Sequence, residues 1–167
     1  MKRLGVAVAL VLLVLAFTVP AFAGTGKIPF NPYVLEFTLG DSAVTASTMA
    51  PGYGPVEVTM PAPAICVNNR MMIPVEALAD LVGADVYVEG PSWSASVLNG
   101  FVRLTGETGK PIKLYLFYRL LLPDVVPGAV TVERKGHLYV PVRVLEVLGG
   151  FDFVVDEPPC QVTAIRM

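Results

Sequence analysis

The chain has 167 residues, 54% of them hydrophobic and 16% charged, with a formal net charge of −2. Apolar content this high excludes a disordered chain, and basic residues scattered without an aromatic-interleaved patch exclude a nucleic-acid surface. The length suits one ordinary domain or two very small ones.

The first stretch carries a targeting pattern. Met1-Lys2-Arg3 is a short basic start, Leu4 to Val19 is almost wholly apolar, and Pro20 precedes Ala21-Phe22-Ala23. The basic start, the apolar run and the small-x-small end predict a secretory signal peptide over 1–23, cleaved after Ala23. The competing reading is an uncleaved anchor helix, for which the run is short against the roughly 20 residues of a span. No cysteine follows the run, so a lipoprotein anchor is not expected. Without Lys2 and Arg3, 10 basic residues face 14 acidic ones, a net charge of −4. No transmembrane segment is expected after cleavage, and the predicted location is outside the cell or in its envelope.

Residues 24–32 read as a loose Gly/Pro leader, and 33–167 as one domain. Tyr33 to Leu39 is a predicted strand turned at Gly40-Asp41. Ser42 to Pro55, rich in small residues, glycine and proline, reads as an exposed loop or irregular hairpin. Val56 to Met60 is a strand, and Pro61 and Pro63 suit an edge or a crossing. Ile65 to Val67 and Met71 to Ile73 form a hairpin around Asn68-Asn69, because asparagine tolerates the left-handed backbone of a tight turn. Pro74 is expected to open a helix that presents Val75, Leu78, Leu81 and Val82 on one face and ends at Gly83. Strands follow at 85–89, 93–98 and 101–104, with turns at Gly90-Pro91 and Asn99-Gly100. Gly106 to Pro111 reads as a polar loop. Ile112 to Leu122 reads as one long strand. Ile112, Leu114, Leu116, Tyr118, Leu120 and Leu122 fall on one face, and Lys113, Tyr115, Phe117, Arg119 and Leu121 on the other. A second hairpin at 130–140 turns at Lys135-Gly136. Pro141 is expected to open a second helix ending at Gly149-Gly150, with strands at 151–156 and 161–167.

Positions 67 apart match between the two corners: Pro74 and Pro141, Leu78 and Leu145, Leu81 and Leu148, Gly83 and Gly150, Asp85 and Asp152. The matches fall on the helix start, its buried face, its cap and the next strand, so an internal repeat is predicted, with half-repeats centred on 65–98 and 130–166. The fold expected is α+β: a curved, mainly antiparallel sheet with two short helices, from two related β-hairpin–helix–β-hairpin halves.

The pattern of turn, strand, Val-Pro, helix and glycine, after a secretion signal, resembles the copper amine oxidase N-terminal-like (stalk) domain of secreted bacterial proteins. The family's motif runs Asn-Gly-Arg-Thr-Tyr-Val-Pro-Leu-Arg and then on to Leu-Gly-Ala. The second corner keeps Gly136, Tyr139, Val140, Pro141, Arg143 and Gly150; the first keeps Asn68, Arg70, Pro74, Gly83 and Ala84. The family's Trp-Asp after the helix is replaced by Val88-Glu89 and Val155-Asp156, and Glu76 stands where the first copy's arginine would be. The resemblance spans about 33–167 and implies a fold and an envelope location. It implies no copper and no amine oxidation, since that chemistry needs three imidazole ligands and the chain has one histidine, His137.

No cofactor, metal or catalytic residue is expected from the sequence. His137 lacks companion ligands, Glu76 and Asp80 read as a solvated helix face, and Arg143 as the partner of a carboxylate such as Asp152 or Asp156. Cys66 and Cys160 are either a disulfide, which export permits, or two buried thiols. The notable face is Lys113, Tyr115, Phe117 and Arg119. Exposed, it would suit a cell-wall polymer or another envelope protein; covered, it is core or a subunit contact. Trp93 carries the same two readings. The function expected is a non-catalytic binding or scaffolding module, with a self-assembling envelope protein built on strand 112–122, or an enzyme of another type, as alternatives.

Overall fold

The computed structural model describes residues 34–48, 51–156 and 161–166. The predicted signal peptide, the 24–32 leader and Cys160 lie outside the described residues. In chain order the elements are β1 (Val34–Phe37), β2 (Ala43–Ser47), β3 (Val56–Thr59), β4 (Ile65–Val67), β5 (Arg70–Pro74), α1 (Ala77–Val82), β6 (Asp85–Glu89), β7 (Ser92–Val97), β8 (Val102–Glu107), β9 (Lys113–Leu116), β10 (Arg119–Leu122), β11 (Val132–Arg134), β12 (His137–Pro141), α2 (Val144–Gly149), β13 (Phe151–Asp156) and β14 (Gln161–Arg166).

The class is α+β, mainly antiparallel, with two short helices. The strands form three sheets where one curved sheet was expected. Sheet A is ordered β13-β14-β1-β2-β3, sheet B β11-β12-β5-β4, and sheet C β10-β9-β8-β7-β6. Hydrophobic alternation marks which face of a strand is buried but not which strand lies beside it, so the division into sheets was not available from local pattern.

Four local expectations change. The stretch after Ser42, expected as an exposed loop or an irregular hairpin, contains the regular strand β2, paired on both edges with β1 and β3. Its inward residues, Val44 and Ala46, are fully buried; the small Ala/Ser/Thr residues read as loop by composition although they alternate. Gly106, expected in a loop, lies in β8 opposite Trp93. Pro74 and Pro141 end strands and do not open helices. The reason is reciprocal pairing: Val75 N–H donates to Leu138 O (2.8 Å) and Val142 N–H to Met71 O (3.0 Å), holding both strands in the sheet past the prolines. The helices begin three residues after each proline, with Glu76 and Arg143 at their N-termini, and end on Gly83 (φ 67°) and Gly150 (φ 66°). Those left-handed caps are where glycine avoids the Cβ clash. Finally, 112–122 is a hairpin and not one strand.

One cluster of buried side chains joins the layers: Leu35, Phe37 and Val44 from sheet A, Ile73 and Val140 from sheet B, Trp93 and Leu104 from sheet C, and Leu78 and Leu145 from the helices. Sheets B and C are stitched by Trp93, whose indole Nε1–H donates to Thr131 Oγ1 at 2.9 Å in a buried site. Trp93 is therefore a core residue. Cys66, in β4, is disulfide-bonded. A pairing with Cys160, the only other cysteine in the sequence, rests on a residue outside those described.

Candidate partner-binding face

The β9–β10 hairpin carries a cluster of exposed large apolar side chains. Its two-residue turn is Phe117-Tyr118, and both residues have positive φ, 48° and 64°. A tight hairpin turn of this hand demands that backbone, and asparagine or glycine ordinarily supplies it. An aromatic residue there costs on the order of 1–2 kcal/mol. Such strain persists only where neighbours fix it. The turn leans on the adjacent one: Phe117 N–H donates to Phe101 O at 3.0 Å, and the Phe101 and Phe117 rings meet edge to face at 5.0 Å and 63°. Even so, Phe117 stays 66% exposed and Tyr118 79%, and Leu120, Leu121 and Leu122 are 52%, 54% and 45% exposed.

Register decides which of the expected residues share a face. Tyr115 pairs with Arg103 on one side and Leu120 on the other, and Lys113 pairs with Thr105. Arg119 pairs with Leu116, so it belongs to the opposite face from Tyr115. Phe117 sits in the turn. Lys113 and Tyr115 are thus brought together, Arg119 is not, and Arg103 supplies the cation beside Tyr115. Arg103 was legible in principle, because Val102, Arg103, Leu104 and Thr105 alternate strictly. Arg103, Thr105, Tyr115, Tyr118 and Gly100 line a shallow pocket of about 320 Å³. Two phenols, a guanidinium and a hydroxyl offer stacking and hydrogen bonds, and no nucleophile–base pair.

A second groove, of about 410 Å³, lies between the 61–63 segment, β4 and the β11–β12 turn. Arg134, Lys135, His137 and Tyr139 line one side, and Ile65 and Val67 the other. His137 Nδ1 stands 3.4 Å from Glu76 Oε1, so the two corners touch through these side chains and Glu76 is not simply a solvated residue. Arg143 Nε faces Glu146 Oε1 at 3.8 Å; the side chains of Asp152 and Asp156 are not among those described. Among the described residues no group of three or more His, Cys, Asp or Glu could hold a metal ion, and no helix is long and apolar enough to cross a membrane.

Tyr139 is buried, and its O–H donates to Pro63 O at 3.3 Å. Burial, and secondarily the Glu76 carboxylate, push its phenol above the ordinary tyrosine value of 10.0. A raised folded pKa means the folded chain holds the proton more tightly than the unfolded chain. The resulting stabilisation is complete below the unfolded value and is lost as pH rises through the folded one. Tyr139→Phe is expected to flatten the fall in stability above pH ~10, read from urea midpoints across an alkaline series. Equal slopes for both proteins would remove Tyr139 from the account.

Compared with known proteins, the chain matches no family model, no curated protein and no solved structure.

Proposed function

We propose that this protein is a non-catalytic binding or scaffolding module, exported to the cell envelope or beyond, and that the β9–β10 hairpin is its contact element. The observation that carries the proposal is the exposed run from Phe117 to Leu122. Large apolar side chains grouped at the end of a sheet, on a turn whose backbone is strained to present them, suit a surface that is covered in use. The pocket of Arg103, Tyr115 and Tyr118 beside it adds polar groups for specificity. Export rests on the leader sequence, and the likeness to the stalk-domain family on the residues of the two corners.

The two halves are proposed as copies of one unit. Equivalent positions make equivalent bonds: Leu78 N–H to Val75 O and Leu145 N–H to Val142 O, Gly83 N–H to Ala79 O and Gly150 N–H to Glu146 O. The following hairpins enter different sheets, β6–β7 in sheet C and β13–β14 in sheet A, so the copies share the corner and part after it.

The test is site-specific photo-crosslinking in the producing cell. A benzoylphenylalanine at position 118 is expected to give discrete envelope adducts, and one at position 87, on the far edge strand β6, is expected to give none. Equal labelling from both positions would sink the assignment of the hairpin. N-terminal sequencing of the exported product is expected to begin at Gly24, and an intact Met1 would refute cleavage.

A further inference from the structure

Strand β10 is the free edge of sheet C, and all four of its residues are exposed. Leu116 and Arg119 flank the two-residue turn and exchange backbone bonds with each other, so Leu120 turns its N–H and C=O away from β9. Outward donors and acceptors bordered by leucines form a template for another strand.

Proteins ordinarily blunt such edges with charge. The opposite edge of the same sheet, β6, does so with Asp85 and Glu89. On β10 the one charge is Arg119, at the start, and three leucines follow. The register jumps between Leu120 and Leu122, leaving Leu121 without a partner on β9, and Pro123 ends the run. The open edge is therefore short and bounded at both ends.

We infer that a second copy of this chain occupies this edge, β10 lying antiparallel to β10 about a two-fold axis. The inference rests on the reading of the hairpin as the contact element. Three arguments favour a second copy. The first is area. Leu98, Phe101, Phe117, Tyr118 and Leu120–Leu122 are each about half exposed or more. At roughly 200 Å² per large side chain, they offer roughly 800 Å², the share each partner buries in a standard interface. The second is charge. Antiparallel pairing sends the two Arg119 side chains to opposite ends, each toward the other copy's Pro123-Asp124 segment, whereas parallel pairing would stack them. The third is closure. A head-to-tail contact of β10 on β6 would set leucines against Asp85 and Glu89 and propagate without end. The two-fold contact uses both open edges and stops.

Light scattering coupled to size exclusion on the purified protein is expected to give the mass of a dimer. Leu120→Lys and Leu121→Lys are each expected to raise the dimer dissociation constant by about 100-fold or more, with unchanged far-ultraviolet circular dichroism. Should either variant fail to fold, amide exchange on the wild type gives the same answer, because protection at Leu120 is expected to fall on dilution. A monomeric wild type, a mass beyond the dimer, or lysine variants that stay dimeric would each overturn the inference. A monomer that still crosslinks to envelope proteins from position 118 overturns self-pairing alone, and loss of both results overturns the hairpin reading as well.

Discussion

Gly106→Ala is expected to cost about 3 kcal/mol of stability, among the larger effects a single methyl group can have. A Cβ on Gly106 would stand 2.4 Å from Trp93 Nε1 and 2.7 Å from both Trp93 Cε2 and Thr131 Oγ1. None of these is the loose end of a flexible side chain. Trp93 is buried, and its indole N–H is committed to Thr131 at 2.9 Å. Moving the ring aside breaks that bond in a buried site, so overpacking and the loss of a buried hydrogen bond act together. In a chain of this size the melting temperature should fall by roughly 10 °C. The steric cause is separable by a cycle with Trp93→Phe, which removes Trp93 Nε1, the atom the new methyl would approach most closely, and leaves Thr131 in place. Gly106→Ala should cost at least ~1 kcal/mol less in that background. Strict additivity would refute the contact as the cause.

Leu78→Ala and Leu145→Ala are each expected to cost about 2–5 kcal/mol, from lost transfer energy and the cavity left behind. Both leucines are completely buried, on α1 and α2, which pack against each other. Each helix has only six residues, too short to persist without its apolar contacts. Urea unfolding of the two single variants and the double measures both the losses and their coupling. Losses below ~1 kcal/mol at either site would show that the helix is not held through that leucine.

The legible parts of this sequence were those where local chemistry and global pairing agree. Asn68-Asn69, Asn99-Gly100 and Lys135-Gly136 marked their hairpins, and all six residues take positive φ. Gly83 and Gly150 marked the helix ends for the same reason. The Phe117-Tyr118 turn was hidden because aromatic residues carry no turn signal and continue the alternation of the strands on either side. That one missed turn also misplaced the face: a straight strand puts Arg119 beside Tyr115, and the observed hairpin puts it across from Leu116. The prolines misled in the other direction. Each is a good first residue of a helix, but a cross-sheet bond at the next residue extends the strand and delays the helix. Tertiary hydrogen bonding outranked a local preference in both corners.

The order of sheet A bears on when the fold can be completed. Strand β1 lies between β14 and β2, so Val34 is registered against Ile165 near the other end of the chain. Until β14 is available, one edge of β1 and the fully buried Leu35 and Ala164 lack their final surroundings. Contacts between such distant residues are slow to form, because the loop they close must be ordered first. Completion of sheet A therefore waits on the pairing of β1 with β14, the most distant pairing in that sheet.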